Sequence, residues 1–114
     1  MARKRIVGTL AAVAVTMSGW AFAQDAAKIE RGKAVFAERK CKVCHSIAGE
    51  GNSKGSLDGV GKLGADEVKQ WLLSPKEMAE KAKAARKPPM KAFTDLPPGD
   101  MDALVAYLLT LQAK

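Results

Sequence analysis

The apolar positions near the start of the chain follow the period of an α-helix. Between Asp25 and Lys40, the residues Ile29, Gly32 and Phe36 recur three and four positions apart, and Asp25 is a candidate N-cap. A glycine inside a helix costs about 1 kcal/mol relative to alanine. Gly32 therefore indicates a packing contact that needs a small residue.

A second helix is predicted at the other end of the chain, over residues 100–112. Its apolar residues lie along one stripe, with Tyr107 beside it: Met101, Leu104, Leu108 and Leu111. The chain is thus predicted to carry helices at both ends.

Between these helices the pattern predicts two short helices separated by loops. Residues 65–73 form the first, with three side chains toward one side: Val68, Trp71 and Leu72. A charged surface helix follows, whose start is marked by a capping residue, a first-turn proline and an acid: Ser74, Pro75 and Glu77. Six glycines between residues 47 and 64 predict a loop, and the prolines at 88 and 89 end the charged helix. Because no stretch alternates as a strand would, the predicted class is one all-α domain.

The first 23 residues have the pattern of a cleaved secretory signal peptide. A basic start, Arg3 to Arg5, precedes an uncharged segment over residues 6–17, and Ala21 to Ala23 offer a small-x-small cleavage site. A helix that spans a bilayer needs about 20 apolar residues, and the uncharged segment is shorter than this. We therefore expect residues 24–114 to form an exported mature domain without a membrane span.

Charge and aromatic content narrow the possible partners. Removing the three basic residues of the signal lowers the formal net charge from +7 to +4. This balance favours an acidic partner or a membrane surface. Only four aromatic residues remain in the mature chain and no basic groove is interleaved with them, so nucleic-acid binding is not expected.

The strongest motif is the stretch from Cys41 to His45. Cys41, Cys44 and His45 stand at positions i, i+3 and i+4, which lie on one face of a helical turn. The two thiols can form thioether bonds with the vinyl groups of a haem, and the imidazole can then reach the iron. One short stretch thus offers both attachment and ligation.

Three other uses of these cysteines are open to an exported chain. A local disulfide would close a very short loop and stabilise the fold little. A thioredoxin-like redox pair would need a preceding strand and a βαβ pattern, which the sequence lacks. A zinc site would need a fourth ligand that is not evident. Covalent haem attachment is therefore the prediction.

The sixth ligand of such a haem has several candidates. His45 is the only histidine, so the candidates are Met78, Met90, Met101, a lysine, water or an open site. Met101 lies on an apolar stripe, where methionine fills a core, and Met78 falls in the charged helix. Met90 follows two prolines in an irregular segment that can turn its side chain inward.

These features together resemble the small class I c-type cytochromes. The resemblance rests on the motif Cys41-Lys42-Val43-Cys44-His45 early in the chain and on the segment Lys87-Pro88-Pro89-Met90 with Phe93. It implies a cytochrome c fold, in which the N- and C-terminal helices cross while short helices and loops wrap around one covalent haem c. It also implies thioether bonds at Cys41 and Cys44 and axial ligation of the iron by His45 and Met90.

Two further details relate to that family. Gly32 and Phe36 resemble the pair that lets the first helix cross the last one closely. Family members commonly carry a Gly-Pro-Leu stretch whose carbonyl accepts a hydrogen bond from the ligating histidine. Here the residues are Gly55, Ser56 and Leu57, so the sequence does not identify the carbonyl that accepts from His45.

Ligation by histidine and methionine would leave no open position at the iron, which favours one-electron transfer over oxygen or peroxide chemistry. We therefore expect a periplasmic, monomeric electron carrier and not an enzyme. Two alternatives stay open. The chain could be an electron-transfer subunit of a larger dehydrogenase or oxidase complex, or a haem sensor or peroxidase with an open sixth site.

Redox partner proteins are expected to dock where the haem edge is exposed. Four lysines flank the attachment motif and the methionine: Lys40, Lys42, Lys87 and Lys91. They predict a basic ring around the haem edge. The alternative is an evenly mixed, solvated surface.

Overall fold

The computed structural model describes residues 18–84 and 89–112. Four helices follow one another along this part of the chain: α1 (Ser18–Glu38), α2 (Ala65–Leu73), α3 (Pro75–Ala82) and α4 (Pro98–Leu109). Three short 3-10 turns lie between α1 and α2: Cys41–Val43, Ser53–Gly55 and Val60–Leu63. The prediction of an all-α domain with the first and last helices packed together is confirmed.

The largest packing interface joins α1 to α4. An added Cβ at Gly32 would lie 2.6 Å from the carbonyl carbon of Ala103 and 2.7 Å from Cβ of Tyr107, closer than real Cβ atoms come. Only glycine therefore allows this approach of the two helices, as the sequence indicated. One turn farther along α1, the rings of Phe36 and Tyr107 meet edge to face, with centroids 5.9 Å apart.

The hydrophobic core extends from this crossing to α2. Val35 and Leu104 are each 1% exposed and Val68 is 2% exposed. The remaining members of the core come from the same helices and from the segment before α4: Phe36, Leu72, Leu96, Met101, Val105 and Leu108. Trp71, on the same helix as Val68, is half-buried and does not belong to this core.

An ion pair closes the outer side of the α1–α4 interface. Nε of Arg31 donates to Oδ1 of Asp100, and a second nitrogen donates to Oδ2, both at 2.9 Å. Such two-pronged contacts hold their geometry better than single surface pairs do.

Several predicted helix boundaries need correction. α1 begins at Ser18, so Asp25 is not its N-cap. The alanines and Gln24 before Asp25 are good helix formers, which allows the helix to continue upstream. The helix includes residues 18–23 of the predicted signal peptide, while residues 1–17 lie outside the described part.

The charged helix also differs from its prediction. α3 begins at Pro75 as expected, but the side chain of Ser74 makes no capping hydrogen bond. The helix ends at Ala82, well before the prolines, because Lys83 adopts a left-handed conformation with φ of 53°. Its backbone N–H then donates to the carbonyls of Ala79 and Glu80.

A small strand pair, which the apolar pattern did not predict, follows the Cys41–His45 stretch. β1 (Ser46–Ile47) runs antiparallel to β2 (Glu50–Gly51). The two residues between them, Ala48 and Gly49, have φ values of 51° and 83°, as a tight hairpin turn requires. Strands of two residues are too short to produce a visible alternation.

We expect Gly32→Ala to lower the free energy of unfolding of the haem-containing protein by about 1–3 kcal/mol, because its methyl group would collide with the backbone of α4. The gain in helix propensity, about 1 kcal/mol, offsets only part of this loss. Urea unfolding followed by circular dichroism measures the difference. Gly99→Ala in the first turn of α4 is the matched control, since a Cβ there meets no atom within 4 Å. A Gly32→Ala protein as stable as the parent would contradict the close crossing.

The Arg31–Asp100 pair predicts a specific pH dependence. The hydrogen bond from Arg31 lowers the pKa of Asp100. A carboxyl group with a lowered folded-state pKa stabilises the fold above its unfolded pKa of about 4, and this stabilisation is lost as the pH falls through the folded value. Asp100→Asn should therefore lower the free energy of unfolding at pH 7, and the difference from the parent should disappear in acid.

Denaturant unfolding at a series of pH values tests this expectation. Asp102→Asn, at an exposed position on the same helix, is the control and should follow the parent throughout. A difference between Asp100→Asn and the parent that persists at acid pH would contradict the proposed role of the ion pair.

Candidate haem site

The attachment motif forms a tight turn directly after α1. Lys40 takes a left-handed conformation with φ of 56°, which redirects the chain, and Cys41–Val43 then form a 3-10 turn. The carbonyl of Cys41 accepts hydrogen bonds from the backbone N–H groups of Cys44, at 3.2 Å, and His45, at 2.9 Å. This turn brings the two cysteines and the histidine close together, as their spacing predicted.

The thiol of Cys41 does not have the character of a reactive redox cysteine. Cys41 and Cys44 are both half-buried free thiols. Burial raises the pKa of the Cys41 thiol to about 11. A reactive redox cysteine needs the opposite shift, toward a stable thiolate.

A zinc site also lacks support in the described part of the chain. Within residues 18–84 and 89–112, no group of three or more His, Cys, Asp or Glu side chains is arranged to hold a metal ion. The alternatives to haem attachment are therefore not favoured by the geometry.

The imidazole of His45 is oriented by a backbone carbonyl. Its Nδ1 lies 2.9 Å from the carbonyl oxygen of Gly55. Because a carbonyl can only accept, Nδ1 carries the proton and Nε2 is the nitrogen available to a metal. The accepting carbonyl, which the sequence left open, is thus that of Gly55.

The residues that follow Gly55 contact the strand pair that comes after the attachment turn. The backbone N–H of Leu57 donates to the carbonyl of Ser46 at 2.8 Å. The backbone N–H of Ala48 donates to Oδ1 of Asp58 at 2.9 Å. Neither bond involves Gly55 or the turn from Cys41 to His45.

An apolar cavity of about 380 Å³ opens beside the attachment turn. Its volume lies within the range of cofactor and ligand sites. The walls come from all parts of the fold and are almost entirely apolar: Phe36, Cys41, His45, Leu57, Val60, Leu63, Glu67, Val68, Trp71, Leu72, Ala82, Met90, Leu104 and Leu108. An apolar cavity with a thiol and an imidazole in its wall fits a largely apolar macrocycle with an iron centre.

A wider groove of about 1090 Å³ shares four of these wall residues, namely Cys41, His45, Trp71 and Met90. Cys44 lines this groove as well. The two thiols therefore both face the space beside the cavity, where the two vinyl groups of a haem would have to lie.

Met90 lines both the cavity and the groove. Met78, half-buried on α3, and Met101, which is 5% exposed within the α1–α4 core, line neither of them. Of the three methionines considered from the sequence, Met90 alone shares these spaces with Cys41 and His45. Its role as an iron ligand stays a prediction at this point.

Two contacts hold the segment after Met90 against the rest of the fold. The backbone N–H of Phe93 donates to the carbonyl of Leu72, at the end of α2, at 2.8 Å. The guanidinium of Arg39, just after α1, binds the carboxylate of Asp95 at 2.7 Å. The hydrogen bond from Arg39 lowers the pKa of Asp95.

Two glycines for which the sequence predicted only a loop are in close contact with another segment of the chain. Gly51 has a φ of 109°, and a Cβ there would collide with the carbonyl of His45. Gly61 donates its backbone N–H to the carbonyl of Leu111 at 3.0 Å, and a Cβ there would collide with the carbonyl of Leu109. A glycine-rich stretch predicts a loop but does not distinguish the glycines that contact another segment.

Of the predicted basic ring, Lys40, Lys42 and Lys91 are exposed. Nζ of Lys42 lies 3.5 Å from a carboxylate oxygen of Glu50, which reduces its contribution to the local positive potential. Lys87 lies outside the described residues. The ring stays a prediction.

Across the residues that the structure describes, no helix combines the length and the apolar character needed to cross a membrane.

The chain is similar to part of a larger protein, cytochrome c oxidase subunit 2 of Alkalihalophilus pseudofirmus. The two are 26% identical over 92 residues, which covers 72% of this chain and 25% of that protein. The chain thus spans about a quarter of the length of this curated relative. No solved structure gives a significant match to the chain.

The protein-family comparison covers most of the sequence. The family model for cytochrome c matches residues 29–112, a range that includes the attachment motif, Met90 and all of α4. The spacing of Cys41 and Cys44 fits the haem-attachment motif of that family. Because the cytochrome c domain implies a covalently attached haem c, the predicted cofactor is confirmed. Together with the apolar cavity beside the attachment turn, this match identifies the chain as an electron-transfer haem protein that belongs to the cytochrome c family.

Proposed function

We propose that the mature chain is an exported, monomeric one-electron carrier in which Cys41 and Cys44 hold the haem and His45 and Met90 ligate its iron. The observation that supports this most directly is the shared cavity. Cys41, His45 and Met90 all line it, although Met90 lies far along the chain from the attachment motif. When bound, the haem supplies an iron that takes up and releases one electron.

His45 contributes orientation and basicity. The carbonyl of Gly55 accepts from Nδ1, so the ring presents Nε2 on its other side. A hydrogen bond of this kind raises the basicity of a ligating imidazole and fixes its direction. The ring is therefore oriented before it meets the metal.

Met90 contributes a soft thioether on a tethered segment. The hydrogen bond from Phe93 and the ion pair of Asp95 with Arg39 hold the residues that follow it. A thioether ligand favours the ferrous state and raises the reduction potential. If His45 and Met90 both held the iron, oxygen and peroxide would find no open site there, which would favour electron transfer over catalysis.

The cavity walls contribute a low-polarity surrounding. Phe36, Leu72 and Leu104 come from three different helices and are each at most 5% exposed. Rigid apolar walls exclude water and limit rearrangement between oxidation states. Such a surrounding is suited to fast electron exchange with redox partner proteins.

The periplasm is the proposed location. The basic, apolar and small-x-small pattern of residues 1–23 supports export through a cleaved signal peptide. Export also suits a protein whose thiols are converted to thioethers.

A second candidate function has a specific observation in its favour. The similarity to part of cytochrome c oxidase subunit 2 supports a role as the electron-transfer component of a larger oxidase complex. A protein that sediments as a monomer at micromolar concentration would weigh against this candidate.

We expect Met90→Ala to remove the sulfur-to-iron charge-transfer band of the ferric protein and to allow the ferrous protein to bind carbon monoxide, since the sixth position is then vacated. Optical spectra of the parent and variant, produced with the c-type maturation machinery, make the comparison. Met78→Ala is the matched control and should keep the band, because Met78 does not line the cavity. A parent protein that binds carbon monoxide readily would contradict ligation by Met90 and would favour a haem sensor or peroxidase.

We expect the exposed lysines to accelerate electron transfer to an anionic oxidant such as ferricyanide. Lys40→Gln and Lys91→Gln should each lower the second-order rate constant at low salt, and the rate of the parent should fall as salt screens the charges. Stopped-flow kinetics provide the measurement. Lys33→Gln, on an exposed position of α1, is the control. A parent rate that does not change with salt would contradict a basic docking surface.

A further inference from the structure

Asn52 links the haem-attachment turn to the carbonyl that orients His45. We propose that Asn52 is a positioning residue, which determines the direction of the His45 ring by holding Gly55 in place relative to the turn from Cys41 to His45. The proposal rests on the proposed ligation of iron by His45, and goes beyond it by assigning a role to a side chain outside the ligand set.

The backbone N–H and the side-chain amide of Asn52 both bind the attachment turn. The backbone N–H is shared between the carbonyls of Lys42, at 3.2 Å, and His45, at 3.1 Å. Nδ2 donates to the carbonyl of Val43 at 3.2 Å. Asn52 thus satisfies three carbonyls that a short 3-10 turn leaves without partners of its own.

The two oxygen atoms of Asn52 accept hydrogen bonds from the residues that follow it in the sequence. Oδ1 accepts from the backbone N–H of Lys54 at 3.0 Å and caps the turn Ser53–Gly55. The backbone carbonyl of Asn52 accepts from the N–H of Gly55 at 3.1 Å. Gly55 in turn accepts from Nδ1 of His45.

The hydrogen bonds therefore form a closed circuit. It starts at the attachment turn, passes through Asn52 to Gly55, and returns through the imidazole of His45 to the same turn. Gly51 permits the circuit to close, because a Cβ at that position would strike the carbonyl of His45. Asn52 itself is half-buried, and both of its side-chain hydrogen bonds lie at the exposed edge of the fold.

The circuit has a direct consequence for the ligand. Gly55 is the last residue of the turn Ser53–Gly55. If its carbonyl moved by a fraction of an ångström, the imidazole would rotate or lose its hydrogen bond. Asparagine is suited to this position because one side chain offers a donor on one side and an acceptor on the other. Replacing it removes both contacts while leaving the backbone bonds in place.

The test measures the exchange of the Nδ1–H proton of His45 with solvent in the ferrous haem protein. His45 is the only histidine of the sequence, so labelling an untagged protein with ¹⁵N-histidine yields a single ring N–H signal, that of Nδ1. We expect Asn52→Ala to accelerate this exchange roughly tenfold relative to the parent, the effect of losing two hydrogen bonds that support the accepting carbonyl.

Two further variants separate positioning from general loop stability. Asp58→Ala removes a side-chain-to-backbone bond from the same loop without touching the circuit, and should lower the free energy of unfolding while the exchange rate of His45 stays at the parent value. Asn52→Asp keeps an oxygen that can accept from Lys54 but cannot donate to Val43. It should give an exchange rate between those of the parent and Asn52→Ala. If the Asn52→Ala protein does not acquire haem, Asn52→Asp is the variant to compare with the parent.

The outcomes distinguish this inference from the proposed function. A parent whose His45 signals show no haem-induced displacement would overturn iron ligation by His45, and the positioning role with it. A parent with displaced signals, combined with an Asn52→Ala protein that exchanges at the parent rate, would overturn the positioning role alone. Equal acceleration by Asp58→Ala would likewise overturn it, since any loosening of the loop would then suffice.

Discussion

The close crossing of α1 and α4 at Gly32 is the contact from which the rest of the fold takes its position. The backbone of Ala103 occupies the space that a Cβ of Gly32 would need, so the two helices approach more closely than larger residues would permit. This distance sets where Phe36 and Leu104 lie, and both form walls of the cavity. It also directs the end of α1, and therefore the attachment turn, toward that cavity.

From this crossing the chain builds the haem site with loops and not with further regular structure. After Cys41–Val43 it reverses through a two-residue hairpin turn, passes beneath the carbonyl of His45 at Gly51, and returns to present the carbonyl of Gly55 to the imidazole. Each of these steps depends on a backbone hydrogen bond or a glycine. Ile47 and Leu57 pack against the hydrophobic core, and polar contacts connect the rest of this region to the turn that it serves.

The part of the wall that carries Met90 has a different physical basis. Met90 lies on an irregular segment that packs partly against the core and is tethered at Phe93 and Asp95. One tether is a backbone hydrogen bond and the other is an ion pair, and neither involves the sulfur atom. Side chains that ligate a metal need such support from their neighbours, because the metal bond alone does not determine the conformation of the segment. Burial of Cys41, which raises its pKa to about 11, similarly suits a thiol that will lie within an apolar wall.

The sequence by itself determined the class of the protein and the chemistry of its site. The spacing of Cys41, Cys44 and His45 is local, so the periodicity of one turn suffices to bring them together, and the same holds for the bounds of α2, which the structure reproduces. The apolar stripes indicated which faces of the first and last helices are buried, and Gly32 indicated a close contact. These features depend on neighbours within a few positions along the chain.

The tertiary structure alone decided which carbonyl accepts from His45 and which loop glycines are in contact with another segment. Gly55 and Gly61 are each defined by a partner from another segment of the chain, and a pattern of residue types carries no distance to such a partner. The sequence also failed to predict where α1 begins and that α3 ends early. A helix boundary depends on small differences in free energy between adjacent residues. Local periodicity could therefore establish what the site is made of, whereas only the packing of distant segments established how it is held together.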